Sequence, residues 1–209
     1  MKHIFDNITE KNKQKLLKLL EANTFTYKKD TSILRTIKND NIIGIILEGY
    51  AQIIRTDYNG NRTITEESEE NDVFGSTLSS LKNKEYQIIT KEDTKIILID
   101  YDRIINYSEN NKGYYNEFIK NLLQIVIEKV NQKNERIEIL TRKTTRNKLL
   151  EYFSITAKRY GSKYVYLPFN FTDLADYLAV DRSAMSRELK YLKEEGFIEI
   201  KGKRITLHY

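Results

Sequence analysis

Two arginines and a serine in the C-terminal part of the chain have the spacing of side chains that read DNA bases. Arg182, Ser183 and Arg187 lie within six residues, at the start of a predicted helix. Arginine bonded through two N–H groups to guanine is the commonest specific base contact, and serine can bond to several bases. These residue types therefore predict base reading in the major groove. The alternative is a helical hairpin whose arginines lie on a solvated face.

The segment around these residues predicts two short helices joined by a tight turn. From Phe169 it reads FNFTDLADYLAVDRSAMSRELK. Asn170 and Asp181 are good N-cap residues, and Asp173 can bond back to Asn170 as in a capping box. Apolar residues recur at helical spacing at Leu174, Ala175, Leu178, Met185, Leu189 and Leu192. A helix pair of this size is typical of the DNA-binding helix-turn-helix.

Two short alternating runs follow the second helix and predict a β-hairpin. They cover residues 197–200 and 204–207, with Lys201-Gly202-Lys203 between them. A helix-turn-helix followed by a basic hairpin is a winged helix. Polar and cationic side chains of this segment are predicted to contact phosphates, which fix register without specifying sequence: Asn170, Thr172, Ser186, Lys201, Lys203 and Arg204.

Positive charge is concentrated in the same part of the chain. Residues 141–209 contain 14 Lys and Arg against 8 Asp and Glu, a net charge of +6. The totals of 35 and 30 leave 21 and 22 for residues 1–140, a net charge of −1. This distribution is what phosphate binding requires, although ordinary scatter of charge is an alternative.

The first hundred residues predict an antiparallel β domain behind a short amphipathic helix at 11–22. Strand-like runs cover residues 42–47, 51–56, 62–65, 86–90 and 95–99. Turn signals separate the runs, and Asn59-Gly60 is a strong hairpin signal. Regular short strands with such turns are typical of a sandwich or jelly roll.

A long helix is predicted over residues 114–140, which contain no proline or glycine. One apolar stripe has the 4-3-4 spacing of a coiled-coil seam, broken by Lys133, and consists of Ile119, Leu123, Val126, Val130, Ile137 and Leu140. A second stripe at Phe118, Leu122 and Ile125 predicts packing on the β domain. The alternative is a single core helix without a twin.

The chain resembles the CRP/FNR family of transcription regulators over nearly its full length. The run VDRSAMSRELKYLKEEGFIEIKGKRITL resembles the signature of that family's DNA-binding domain. The run IIGIILEGYAQIIRTDYNGNRTI, with DVFG at 72–75, resembles its cyclic-nucleotide-binding sensor domain. The resemblance implies an α+β fold with an N-terminal antiparallel β jelly roll or barrel over 1–112. It also implies a long central dimerisation helix over 113–140 and a C-terminal winged helix-turn-helix over 141–209.

The same resemblance implies how such a protein works. Its central helix would pair in parallel with its twin, so that a homodimer binds a palindromic site on double-stranded DNA. RNA polymerase is the further expected partner. The chain departs from the family pattern at Ser183, where a glutamate is usual, so the target sequence stays open. It also has Ala179 where the turn often has glycine.

The sensor segment departs further from the pattern. Nucleotide-binding members place glutamate after the glycine that here is Gly75, and an Arg-Ser/Thr pair where this chain has Lys84-Glu85. Lysine lacks the fork that holds phosphate through two bonds, and Glu85 repels it. We therefore expect no cyclic-nucleotide control. Gly75, Ser76, Thr77 and Lys84 are candidates for another effector pocket, or else ordinary loop residues.

The composition excludes several other functions. The chain has no cysteine, which excludes disulfides and cysteine-ligated iron–sulfur clusters, and the only histidines, His3 and His208, make haem an unexpected cofactor. No phosphate-loop, dinucleotide, zinc-protease or nucleophile motif is found, so we expect no enzyme and no cofactor.

The longest apolar run, 42–47, is far below the ~20 residues of a membrane span. A cytoplasmic protein is expected. A ligand-gated activator and a protein-interaction module built on the winged helix remain open.

Overall fold

The computed structural model describes residues 3–33, 41–75, 85–106 and 112–209. The chain forms two compact units, Met1–Val130 and Asn131–Tyr209. The boundary lies inside one long helix, whereas the resemblance sets that helix apart as a domain of its own. The three domain bounds therefore stay a prediction.

Within the described residues, the first unit combines seven strands with helices before and after them. Its elements are α1 (Glu10–Leu19), β1 (Asn23–Tyr27), β2 (Ile42–Glu48), β3 (Ala51–Thr56), β4 (Arg62–Ser68), β5 (Val73–Gly75), β6 (Tyr86–Thr90), β7 (Thr94–Asp100), α2 (Tyr101–Ile105) and α3 (Gly113–Leu140), the last of which continues into the second unit. All five predicted strands and both predicted helices are present. The elements β1, β5 and α2 had no sequence prediction.

The strands form two antiparallel sheets that share a core. Their orders are β1-β7-β2-β5 and β4-β3-β6. Ile46 and Ile96 from the first sheet and Ile53 and Ile88 from the second are fully buried in one cluster. The predicted jelly-roll class is confirmed, but within the described residues the two sheets stay separate and do not close into a barrel.

The close pairing of β2 with β5 explains why residues 44 and 75 are both glycine. Gly44 lies opposite Phe74, and a Cβ at Gly44 would lie 2.1 Å from the Cζ atom of the Phe74 ring. Gly75 has φ +152°, and its Cβ would lie 2.1 Å from the carbonyl oxygen of Ile42. Any larger side chain at either position would force the two strands apart.

A buried ion pair fastens α3 to the β domain. The Lys129 ammonium lies 3.0 Å from Glu66 Oε2, and both side chains are almost completely buried. Asp72 is buried beside them and accepts a hydrogen bond from the backbone N–H of Glu69 at 3.1 Å. Burial raises the pKa of Asp72, and the charge of Lys129 opposes that rise.

The second apolar stripe of α3 is confirmed. Phe118 and Ile125 are buried and Leu122 is half-buried in the core of the first unit.

The second unit is a helical domain with a small sheet. Its further elements are α4 (Thr145–Tyr160), β8 (Tyr164–Tyr166), α5 (Phe171–Leu178), α6 (Arg182–Glu194), β9 (Ile198–Lys201) and β10 (Arg204–Leu207). The sheet has the order β8-β10-β9, and its core includes the fully buried Phe153, Leu174 and Met185. No helix among the described residues is both long and apolar enough to cross a membrane.

Candidate nucleic-acid interface

The start of α5 is fixed by its own cap. The side-chain oxygen of Asn170 accepts a hydrogen bond from the Asp173 N–H at 2.9 Å, and the Asn170 amide donates to the Asp173 carboxylate at 3.2 Å. The predicted cap is confirmed, with the return bond made between the two side chains. The amide of Asn170, a predicted phosphate contact, is therefore already engaged in the cap.

The turn between α5 and α6 passes through a left-handed residue. Ala179 has φ 49° and ψ 57°, and its N–H donates to the Ala175 carbonyl. Only glycine adopts this conformation without strain, so the alanine costs about 1 kcal/mol. Ala175 is buried at the crossing with α6, as its small side chain predicts.

A shared carboxylate oxygen organises the start of α6. Asp181 Oδ1 accepts hydrogen bonds from the Ser183 hydroxyl at 2.6 Å and the Ala184 N–H at 2.8 Å. The Ser183 hydroxyl bond is the main cause that lowers the pKa of Asp181, and the Ala184 bond adds to it. The predicted N-cap is confirmed. The Ser183 hydroxyl, a predicted base reader, therefore already donates its hydrogen bond within the cap.

One face of α6 presents cations and hydroxyls to solvent. Arg182, Ser183, Ser186 and Arg187 are exposed, while Met185, Leu189 and Leu192 are buried on the opposite face. Neither arginine forms an ion pair with any described residue. Lys190 lies three residues after Arg187 on the same face, with its ammonium 3.7 Å from the Glu194 carboxylate, and was not among the predicted contacts.

The far end of α6 is tied to α4. Arg146 donates through two guanidinium nitrogens to both carboxylate oxygens of Glu195, with a distance of 2.9 Å for the Nη1–Oε1 pair. This bonding raises the pKa of Arg146 and lowers that of Glu195. The Arg146 Cζ atom also lies 5.4 Å from the centre of the Phe197 ring, just before β9.

The predicted hairpin carries its basic residues near the tip. Lys201 and Lys203 are exposed and Arg204 is half-buried. The Lys201 ammonium lies 2.9 Å from the Glu199 carboxylate, and Lys203 forms no ion pair with the described residues. The Arg204 guanidinium carbon lies 5.6 Å from the centre of the Tyr164 ring in β8, a contact that the sequence analysis missed. Of the other predicted phosphate contacts, Thr172 is half-buried in α5.

The predicted seam on α3 is partly exposed. Leu123, Val130 and Ile137 are 58%, 50% and 59% exposed, while Ile119, Val126 and Leu140 are half-buried. The exposed three are spaced by seven residues. Ile127, 51% exposed, lies beside them and was not predicted to belong to the seam.

The candidate effector pocket falls largely outside the described residues. Ser76, Thr77 and Lys84 lie there, and Gly75 alone is described, buried against β2. Glu85 is paired with Arg55 of β3 at 2.8 Å, which raises the pKa of that arginine. Upstream of Gly75, Glu66 and Glu67 belong to β4, where Glu67 accepts a hydrogen bond from the Tyr50 hydroxyl at 2.7 Å.

Two family models match the chain, one in each part. Residues 24–111 match the cyclic nucleotide-binding domain, and residues 147–209 match the Crp-like helix-turn-helix domain. A curated relative is the transcriptional activator protein FnrL of Cereibacter sphaeroides, 30% identical over 92 residues. That match covers 40% of this chain and 37% of the relative, so it spans little more than a third of the relative's length.

Solved structures share the fold at low identity. A cyclic nucleotide-binding domain containing protein from Listeria monocytogenes has a TM-score of 0.72 at 22% identity, covering 94% of this chain and 97% of that one. A CooA mutant from Carboxydothermus hydrogenoformans has a TM-score of 0.71 at 18% identity, covering 95% and 92%. FixK2 from Bradyrhizobium japonicum has a TM-score of 0.66 at 22% identity, covering 90% and 93%.

Proposed function

We propose that this chain, which belongs to the CRP/FNR family of transcription regulators, binds a palindromic DNA site as a homodimer without cyclic-nucleotide control. DNA binding through a helix-turn-helix is the family's mode of action. The oligomeric state, the symmetry of the DNA site and the independence from nucleotides are the parts that we add.

The exposed face of α6 is the observation that carries this proposal. Arg182 and Arg187 have guanidinium groups without ion pairs among the described residues, on a helix whose opposite face is buried. A guanidinium that is not already paired can donate two bonds to one guanine, which is how arginine discriminates bases. Lys203 at the hairpin tip supports a flanking phosphate contact.

The heptad spacing on α3 supports the dimer. Leu123, Val130 and Ile137 are about half exposed at intervals of seven residues, which is the repeat of a coiled-coil seam. Pairing of two such helices would remove these side chains from water, and a two-fold axis between them would present two copies of α6. A dimer of that kind demands a palindrome with half-sites about one helical turn, ~34 Å, apart.

Selection of bound sequences from random DNA tests the proposal directly. The full chain should enrich a palindrome whose half-site centres are separated by about 10 base pairs or a multiple of one turn. Enrichment of an isolated half-site would contradict the dimer, and no enrichment would contradict specific recognition. The same selection with a small-molecule extract added would reveal an effector.

A nucleotide-gated activator is the second candidate, favoured by the match of residues 24–111 to the cyclic nucleotide-binding domain. Calorimetric titration with cyclic AMP and cyclic GMP separates the two candidates. Heat that saturates at one nucleotide per chain would favour the gated activator, and its absence would favour the nucleotide-independent regulator.

The proposal also assigns partners and location. We include RNA polymerase as a partner because transcription regulators act on it or on its access to the promoter, and we place the protein in the cytoplasm with the DNA that it would bind. We propose no iron–sulfur cofactor because the chain contains no cysteine.

A further inference from the structure

Three consecutive carbonyls at the end of α5 receive hydrogen bonds from two cationic side chains. The Arg136 guanidinium, in the last turns of α3, donates to the Tyr177 carbonyl at 2.9 Å. The Lys148 ammonium, in the first turn of α4, donates to the carbonyls of Leu178 at 3.1 Å and Ala179 at 3.4 Å. Two neighbouring helices therefore hold the turn that leads into α6.

These contacts suit the C-terminus of a helix. The last carbonyls of a helix have no partner within it, and their partial negative charge favours nearby cations. The Arg136 guanidinium carbon also lies 4.0 Å from the centre of the Tyr177 ring, so the same side chain holds both the ring and the carbonyl of that residue. The turn they hold contains Ala179, whose left-handed backbone is strained.

We infer that Arg136 and Lys148 are positioning residues for recognition of the DNA site. They set the geometry of the α5–α6 turn and hence the direction in which α6 leaves it, without contacting DNA. Both side chains are half-buried, whereas Arg182, Arg187 and Lys203 are exposed. The inference rests on the proposed function, because it concerns how the reading helix is aimed.

Arg136 joins α3 to the end of α5, and the turn after Tyr177 leads from there into α6. Arg136 lies one residue before Ile137, the last exposed member of the heptad series. A turn of α3 about its axis would therefore pull on the Tyr177 carbonyl.

Fluorescence anisotropy tests the inference. It measures binding of the full chain to the selected DNA site and to a scrambled duplex over a range of salt concentrations. Arg136→Met and Lys148→Met each remove a charged donor while keeping much of the side-chain volume. We expect each to weaken binding to the selected site about tenfold, because a turn that is no longer held would adopt the binding-competent arrangement only about a tenth of the time. Binding to the scrambled duplex and the slope of affinity against salt should stay unchanged.

Lys143→Met is the matched control, because it removes an exposed charge from the segment between α3 and α4 that forms no described ion pair. It should leave the ratio of selected to scrambled binding unchanged. Lys203→Met is the comparison for a phosphate contact and should lower the salt slope by about one unit. Thermal melts of every variant, run beforehand, restrict the binding measurements to temperatures at which all are folded.

A rescue experiment separates positioning from general damage to the fold. Ala179→Gly removes the strain of the left-handed position. Added to Lys148→Met, it should restore at least about half of the lost affinity on a logarithmic scale, while in the unaltered chain it should change affinity less than about twofold.

Three results would overturn the inference. The first is unchanged preference for the selected site in both methionine variants, and the second is no rescue by Ala179→Gly. The third is a salt slope reduced by about one unit, which would make the cations phosphate contacts. If the unaltered chain itself prefers no sequence, the proposed function fails, and the inference fails with it.

Discussion

The three polar side chains at the start of α6 differ in how much of their hydrogen-bonding capacity is already in use. Ser183 donates its proton to Asp181 at 2.6 Å, whereas Arg182 and Arg187 form no ion pair among the described residues. While that bond lasts, the Ser183 oxygen can accept from an amino group of adenine or cytosine but cannot donate to guanine. The two arginines can donate to guanine and therefore carry most of the expected discrimination.

Replacement of Arg187 should alter both affinity and preference. We expect Arg187→Ala to weaken binding to the selected site by ~1–3 kcal/mol and to relax preference at one position in each half-site. Lys203→Ala should instead weaken binding to all sequences and reduce the salt slope by about one unit. Competition binding against single-base variants of the site measures both. Unchanged preference in Arg187→Ala would remove that residue from base reading.

The Asp181 cap predicts a pH-dependent contribution to stability. Hydrogen bonds from Ser183 and Ala184 lower the pKa of Asp181 in the folded chain. The charged cap therefore stabilises the fold above the pKa that Asp181 has in the unfolded chain, about 4. This stabilisation is lost as the pH falls through the lower pKa that Asp181 has in the folded chain. Asp181→Ala should reduce the melting temperature at pH 7, and the difference should shrink at pH 3.

Asp181→Asn is the control for that titration, because asparagine keeps the capping oxygen without a charge. Because neither variant titrates at this position, the melting-temperature difference from the parent should change by the same amount between pH 7 and pH 3 for Asp181→Asn and Asp181→Ala. A constant gap between the two variants would then measure the uncharged part of the cap. An equal deficit for Asp181→Ala at pH 7 and pH 3 would mean that the carboxylate charge plays no part in the cap.

Among the elements, α3 combines a buried face with a partly exposed one. Phe118 and Ile125 pack into the β domain, and Leu123 and Val130 on another face remain about half exposed. A helix that is apolar on two faces requires two partners. The chain itself supplies only one of them within the described residues.

Charged residues on the exposed face should prevent dimer formation. Leu123→Glu combined with Val130→Glu should give monomers, because pairing would bury unpaired charges. Binding to the palindrome should weaken with it, since a monomer contacts only one half-site. Sedimentation velocity measures the state, and Tyr58→Glu, at a residue 92% exposed on the β3–β4 turn, is the control. An intact dimer in the double variant would place the interface elsewhere.

The ion pair between Lys129 and Glu66 should matter more than exposed pairs of the same helix. Lys129→Met leaves the Glu66 carboxylate buried without its cation, which should destabilise the chain by about 3–5 kcal/mol. Lys120→Met, which removes an exposed partner of Glu117, should cost less than about 1 kcal/mol. Urea unfolding measures both. Equal costs would show that burial does not strengthen the Lys129 pair.

The strands and helices also show which parts of the fold sequence patterns can predict. Alternation and turn residues predict β2, β3, β4, β6 and β7, and caps predict the start of α5 and of α6. The strand β1 escapes prediction because its alternation rests on only two apolar residues, Phe25 and Tyr27, within five. The strands β5 and β8 have three residues each, too few for a period. Arg136 and Lys148 escape because their partners are backbone carbonyls 41 and 30 residues away.

For the whole molecule, the open question is what the β domain senses. The chain matches the cyclic nucleotide-binding domain over residues 24–111. By the resemblance to nucleotide-binding members, Ser76 and Lys84-Glu85 stand where a glutamate and an Arg-Ser/Thr pair are usual. The Glu85 carboxylate also forms an ion pair with Arg55. We therefore expect the fold of a sensor domain without the ligand chemistry of a cyclic nucleotide.

Cyclic AMP should leave the molecule unaffected. A ligand that binds only the folded state stabilises it by ~2.7 kcal/mol at 100 times its dissociation constant, which a thermal melt detects easily. We expect no shift at millimolar cyclic AMP and no change in DNA affinity, because the uncharged Ser76 hydroxyl accepts a hydrogen bond from a ribose hydroxyl more weakly than a carboxylate does, and Glu85 repels the phosphate. A clear shift that Lys84→Ala abolishes would make the protein a nucleotide-gated activator.

The interval between Leu123, Val130 and Ile137 also sets a handedness. A straight α-helix drifts by about 20° against a strict seven-residue repeat, so helices that keep such a seam in contact must wind around each other with a left-handed superhelical twist. The two intervals from Leu123 to Ile137 amount to about 40° of winding over ~21 Å of helix. In the proposed dimer, the two reading helices would thus be set around the two-fold axis partly by the pitch of this superhelix.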